Sequence, residues 1–147
     1  MKYELPALKD ENELKEYLQE CFQNGEHDVI ICQDLLLNSF EKWVIQMHHN
    51  ADSGNGDWGR SLILLCHDNS ELVGILCIRY ELTPELEAMY GNIGYNVRPS
   101  KRRNGYATKM LYHGLKICKD KGLEKIILGS HSDNLASVSV IKKCRDL

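Results

Sequence analysis

With 147 residues, 43% of them hydrophobic, the chain is long enough to bury one core and leaves little room for a second. Eighteen basic and 21 acidic side chains give a formal net charge of −3, which argues against nucleic-acid binding as its main business. No apolar run approaches membrane-spanning length, and Met1-Lys2-Tyr3-Glu4-Leu5-Pro6 lacks both the apolar core of a signal peptide and the basic look of a transit sequence, so a soluble, cytoplasmic protein is expected.

Residues 3–8 predict a short first strand, and Asp10 is placed to cap a helix running to Phe22, whose apolar Leu14, Tyr17, Leu18 and Cys21 recur at helical spacing. Residues 28–37 fit no single period. A second helix is predicted over 39–50, with Phe40, Trp43, Val44 and Met47 on one side, followed by a polar, Gly-rich connection over 51–57. Two antiparallel strands, 62–66 and 72–78, flank a turn-like 67–71. A further strand spans 92–97. The helix after it, running to about Lys121, aligns Met110, Leu111, Gly114, Leu115 and Cys118 on one face and stops at Gly122, with residues 123–128 as the next strand.

The six cysteines contain no Cys-x-x-Cys pair and fall in apolar patterns, so buried thiols in a reducing compartment are expected. His48 and His49 are adjacent and point apart on a helix, with no third ligand at useful spacing. No metal site is expected.

The richest segment joins the strand 92–97 to the following helix: Arg98-Pro99-Ser100-Lys101-Arg102-Arg103-Asn104-Gly105-Tyr106-Ala107-Thr108. A basic, Gly-containing turn that opens a helix presents unpaired N–H groups, and the positive end of the helix dipole, to an anion. Lys101, Arg102, Arg103 and Lys109 cluster there, whereas acidic residues from Glu4 to Glu20 crowd the N-terminal region. One local anionic ligand fits this distribution better than a long polyanion.

The spacing Arg102-x-x-Gly105-x-Ala107 resembles the (Gln/Arg)-x-x-Gly-x-(Gly/Ala) signature of the GNAT superfamily of acyl-CoA-dependent N-acetyltransferases, and Asn134-Leu135-Ala136-Ser137 resembles the opening of that family's last helix. The resemblance runs from about Leu72 to Lys143. It implies an α/β fold, one domain over residues 1–147 with a mixed, mainly antiparallel sheet flanked by helices. Acetyl-CoA is the implied co-substrate: its pyrophosphate on Arg102, Arg103, Asn104, Gly105, Tyr106, Ala107 and Thr108, its pantetheine arm along the backbone of Tyr95, Asn96 and Val97, and a further contact from Asn134.

The implied reaction is acetyl transfer to a primary amine, of a small molecule or a peptide, by direct attack in a ternary complex. The Val97 N–H would face the thioester carbonyl. An ordinary lysine-type ammonium has a pKa of about 10.4, so a proton acceptor is needed, and Glu81, acting directly or through a water, is the first candidate. Two departures stand out. The position seven after Asn134, a tyrosine general acid in many members, is Ile141, and the chain ends Lys143-Cys144-Arg145-Asp146-Leu147 where the family usually continues through a Gly-Phe turn and two strands. Three readings of the shortened acceptor half stand side by side: a shortened or frame-altered gene, completion by another subunit, a homodimer partner among them, and a true variant. The alternative is a coenzyme-A-binding or regulatory protein without turnover.

Overall fold

The computed structural model describes residues 1–27, 29, 35 and 38–128. Asn134, Ile141 and the ambiguous stretch 28–37, apart from Val29 and Leu35, lie outside the described residues.

The first strand, β1 (Lys2–Glu4), is shorter than the sequence pattern predicts, because Pro6 has no N–H to give a ladder. A 3-10 turn, Leu8–Asp10, leads into helix α1 (Glu11–Gln23). Asp10 caps this turn and not the helix: its Oδ2 accepts from the Ala7 N–H at 2.8 Å, and it makes no side-chain cap to α1. Helix α2 (Phe40–Asp52) is capped by Ser39, whose hydroxyl accepts from the Lys42 N–H at 3.2 Å.

Strands β2 (Ser61–Asp68) and β3 (Glu71–Arg79) form the expected hairpin, longer on both sides than predicted. The turn shrinks to Asn69 and Ser70, both in the left-handed region at φ 50° and 68°, as the twist-matched two-residue turn requires. A short helix, α3 (Pro84–Tyr90), follows in a stretch for which the sequence pattern predicts no helix. Strand β4 (Ile93–Val97) and helix α4 (Tyr106–Asp120) complete the described elements.

The sheet has the order β1-β2-β3-β4, every neighbour antiparallel. The mixed character comes from Leu128, which bridges Ile93 in parallel, with the Asn92 N–H donating to the Ile127 carbonyl at 2.8 Å and Asn92 Oδ1 accepting from the Ile127 N–H at 2.8 Å.

Alternation along the strands splits the core between the two faces. Leu65 and Ile75, cross-strand partners, pack with Leu14, Tyr17, Trp43 and Met47 beneath α1 and α2. Their neighbours Leu64 and Leu76 pack with Ile93, Val97, Met110 and Leu111 beneath α4. Two glycines let α4 lie close: a Cβ on Gly114 would meet Ile93 methyls at 3.3 Å, and one on Gly74 would meet Met110 Sδ at 2.7 Å. The result is a sheet with β4 between α1 on one face and α4 on the other.

Candidate active site

The register of β4 on β3 decides which backbone groups look outward. The Arg98 N–H donates to the Val73 carbonyl at 2.8 Å, and the Arg79 N–H to the Asn92 carbonyl at 2.7 Å, so between these two bonds Gly94 and Asn96 are the residues whose main chain faces β3. Tyr95 and Val97 therefore turn their N–H and C=O groups to the outer edge. The main chain of Asn96, expected to face the pantetheine with them, is turned to β3 instead.

Beyond Val97 the chain makes a 3-10 turn, Pro99–Lys101, and then swings through Arg103 at φ 65° and Gly105 at φ 80° into α4. Gly105 takes this left-handed conformation without strain and stands at the N-cap of α4 with no side chain to cap it. An ideal Cβ there would meet nothing within 4 Å, so the space over the turn is empty of protein. Among the described residues, the N–H groups of Arg103, Gly105, Tyr106 and Ala107 reach no backbone acceptor. A cradle of amides at a helix N-terminus is a site for phosphate oxygens.

The basic side chains around it divide in two. Arg102 donates through Nε to the Val97 carbonyl at 2.9 Å and through both terminal nitrogens to Glu26, at 2.7 and 2.5 Å. The hydrogen-bonded guanidinium holds the Glu26 carboxyl below its ordinary 4.5, with burial working the other way. Lys101 pairs with Glu71 at 2.5 Å and Arg98 with Glu20 at 2.7 Å. Burial works to raise the Glu20 carboxyl, but hydrogen bonds from Ser100 and Arg98 outweigh it and hold it low. Arg103 and Lys109, by contrast, have no acidic partner among the described residues. Asn104 braces the turn by donating to the Lys101 carbonyl at 3.0 Å, and the Tyr106 hydroxyl reaches across to Asp68 at 2.7 Å. Thr108 lies in the first turn of α4.

Glu81 lies apart from this turn. It follows the end of β3, which pairs with the beginning of β4, and at about 3.4 Å per residue the four steps from Ile93 to Val97 cover about 14 Å. Its carboxylate is held by Arg60, Oε2 accepting from the backbone N–H at 2.7 Å and Oε1 from Nε at 2.7 Å, and these bonds keep it below its ordinary 4.5. It is thus a charged group at neutral pH.

Sequence reasoning missed the part played by α1. Tyr17, fully buried, donates its hydroxyl to the Asn96 carbonyl at 3.0 Å and also reaches Asn96 Oδ1. Its helical spacing marks it as a core residue; no local signal pairs it with a residue 79 positions away.

Among the described residues, no cluster of His, Cys, Asp and Glu could hold a metal ion, and no helix is long and apolar enough to cross a membrane. The four described cysteines, Cys21, Cys66, Cys77 and Cys118, are free and buried.

A search of curated proteins returned no match to the sequence. Solved structures match in fold. An acetyltransferase of the GNAT family from Streptococcus pneumoniae superposes with a TM-score of 0.64 at 18% identity, over 97% of this chain and 81% of that one. The microcin C7 self-immunity acetyltransferase MccE, solved with acetyl-CoA and AMP, gives 0.64 at 19%, over 97% and 76%. The aminoglycoside 6'-N-acetyltransferase AAC(6')-IG from Acinetobacter haemolyticus gives 0.54 at 20%, over 97% and 88%. The family model described as Acetyltransferase (GNAT) family matches residues 12–145, nearly the whole chain, and the protein belongs to that acetyltransferase family.

Proposed function

We propose that the protein transfers an acetyl group from acetyl-CoA to a primary amine by direct attack in a ternary complex. The observation that carries this reading is the amide cradle at Gly105, which follows directly on a strand whose Tyr95 and Val97 backbone groups face outward. The cradle suits the pyrophosphate, and the outer edge of β4 suits an extended, amide-bearing arm that pairs with it as a strand would. MccE, a structural relative, was solved with acetyl-CoA. With the Arg102 charge spent on Glu26, that residue serves the site by shaping the turn, and Arg103 and Lys109 supply positive charge; Asn134 adds a contact from outside the described residues.

On this reading the amine nitrogen attacks the thioester carbonyl, the C–S bond breaks, and the sulfur leaves as a thiolate, which a thiol pKa of about 8.5 permits with little proton assistance. The Val97 N–H donates to the carbonyl oxygen as negative charge builds there. The proton lost by nitrogen leaves through a chain of several waters, with Glu81 as its final acceptor, because Arg60 holds that carboxylate about 14 Å along β4 from Val97. The acceptor is a small-molecule or peptide amine. Free, buried cysteines suit a reducing compartment, and we place the protein in the cytoplasm.

Calorimetric titration of acetyl-CoA into the chain and into Gly105→Glu tests the coenzyme site, and amine-dependent thiol release tests turnover. Binding that the variant loses, with release on adding amine, is expected. Binding without release from any amine would favour a coenzyme-binding regulator, and no binding would defeat the reading. Glu81→Gln should slow release by a few-fold while leaving coenzyme affinity intact, and an unchanged rate would remove Glu81 as the proton acceptor.

A further inference from the structure

Asn96 and Val97 share one peptide unit, and its two polar ends point opposite ways. The register of β4 turns the Asn96 carbonyl toward β3 and the Val97 N–H to the outer edge, where the thioester carbonyl stands in the reading above. Tyr17 reaches that Asn96 carbonyl from α1. Its ring is fully buried, its hydroxyl lies 3.0 Å from the carbonyl oxygen, and burial raises the phenol, so the hydroxyl keeps its proton at neutral pH.

The hydroxyl has one proton and two oxygens within reach, the Asn96 carbonyl and Asn96 Oδ1. The carboxamide can turn over and exchange Oδ1 for Nδ2, whereas the main-chain carbonyl is fixed by the sheet. With Nδ2 against the phenol, the amide donates to the phenol oxygen and the phenol donates to the backbone; with Oδ1 there, two acceptors compete for one proton. The first arrangement satisfies both groups. A donor on a peptide carbonyl draws density along the C–N bond and makes the N–H at the far end a stronger donor, by about 10–30%. Arg102 Nε holds the next carbonyl, that of Val97, at 2.9 Å, so the peptide units on both sides of Val97 are anchored.

We propose that Tyr17 is a positioning residue for acetyl transfer: its hydroxyl, through the Asn96 carbonyl, fixes the 96–97 peptide and strengthens the Val97 N–H as a donor to the thioester oxygen, where negative charge builds. The inference rests on the acetyl-transfer reading above. An oxyanion donor is worth about a hundred- to a thousandfold in rate, and a fifth of that free energy is about threefold.

The test follows thiol release at saturating amine, and the infrared carbonyl band of acetyl-CoA carrying carbon-13 in its thioester carbonyl, bound without amine. The parent chain, Tyr17→Phe, Asn96→Ala and the double variant are compared, with urea midpoints reporting that each folds. Tyr17→Phe should lower kcat about threefold, leave acetyl-CoA affinity by calorimetry unchanged, and shrink the red shift that binding gives the band; the same losses should follow Tyr17→Phe in the Asn96→Ala background. Unchanged kcat and red shift overturn the proposal, and so does a fall in one without the other. Losses that vanish in the Asn96→Ala background overturn it too, because the proton then belongs to Oδ1. A folded Tyr17→Phe chain that loses acetyl-CoA affinity puts Tyr17 on coenzyme binding and likewise overturns it. A parent chain that binds acetyl-CoA with no red shift defeats the Val97 contact, and one that releases no thiol with any amine defeats the transfer reading; each takes this inference with it, and neither turns on Tyr17.

Discussion

Arg102 and Glu26, 76 residues apart, meet fork to fork, and the third guanidinium donor of Arg102 holds the Val97 carbonyl at 2.9 Å. One side chain thereby ties the end of α1, the end of β4 and the turn into a single unit. Its partners are more than a quarter exposed, so screening limits the pair to about 1 kcal/mol. Arg102→Ala should lower stability by about that amount in urea unfolding and weaken acetyl-CoA about tenfold by letting the amide cradle relax. Arg102→Lys keeps the charge but not the planar fork, and should recover less than half of either loss. Full recovery by lysine would mean that charge alone matters.

Gly105 separates backbone strain from ligand exclusion. Because φ is 80° and a Cβ would meet nothing within 4 Å, Gly105→Ala should cost about 1 kcal/mol of stability from backbone strain alone, and Gly105→Asn less. Gly105→Glu should unfold at a midpoint close to that of Gly105→Ala, yet lose at least about tenfold more coenzyme affinity, because its carboxylate faces the phosphates. Equal affinities in the alanine and glutamate variants would remove the phosphates from this turn.

Stability should fall with acid in two stages. His113, held below its ordinary 6.5 first by burial and then by Lys116, takes up its proton more readily when unfolded, so stability declines as pH drops below about 6.5. Glu20, Glu26, Glu71 and Glu81 are all held below 4.5 by their donors; the unfolded chain again binds the protons first, and a second decline begins below about 4.5. Glu71 and Glu81 pair at the solvent surface, where screening weakens them, and add little. Urea midpoints measured from pH 8 to 3 should show both stages, with His113→Gln flattening the first and Glu26→Gln reducing the second.

Much of this was legible in the sequence because it is local. Apolar spacing of 2 or of 3.6 marks the hairpin, α1, α2 and α4, and the signature around Gly105 marks the turn, since the left-handed residue there has to be glycine-like. Helix α3 was missed although its signals are local: the Thr83 hydroxyl accepts from the Leu86 N–H at 3.3 Å and proline takes the first helical position. What the sequence could not show is pairing between distant residues. The acidic N-terminal helix and the basic turn read as two separate charge clusters, but folding docks Glu20 on Arg98 and Glu26 on Arg102 and neutralises part of the positive charge that suggested an anion site. The anion site then rests on backbone amides, with Arg103 and Lys109 as its charges.

Gly74 links the packing of α4 to the position of Asn96. A Cβ there would lie 2.7 Å from Met110 Sδ, which can swing aside, and 2.8 Å from the Asn96 carbonyl, which cannot without moving β4. Gly74→Ala should therefore destabilise the fold by about 2 kcal/mol. Met110→Ala removes the flexible half of the clash, so in a double-mutant cycle the two changes should couple favourably by about 1 kcal/mol while leaving the double variant short of additive recovery. The part that remains belongs to the Asn96 carbonyl, and it should appear as a lower kcat/KM in thiol release, from a displaced β4, that Met110→Ala does not restore. Full rescue of that rate by Met110→Ala would show that α4, and not β4, had moved.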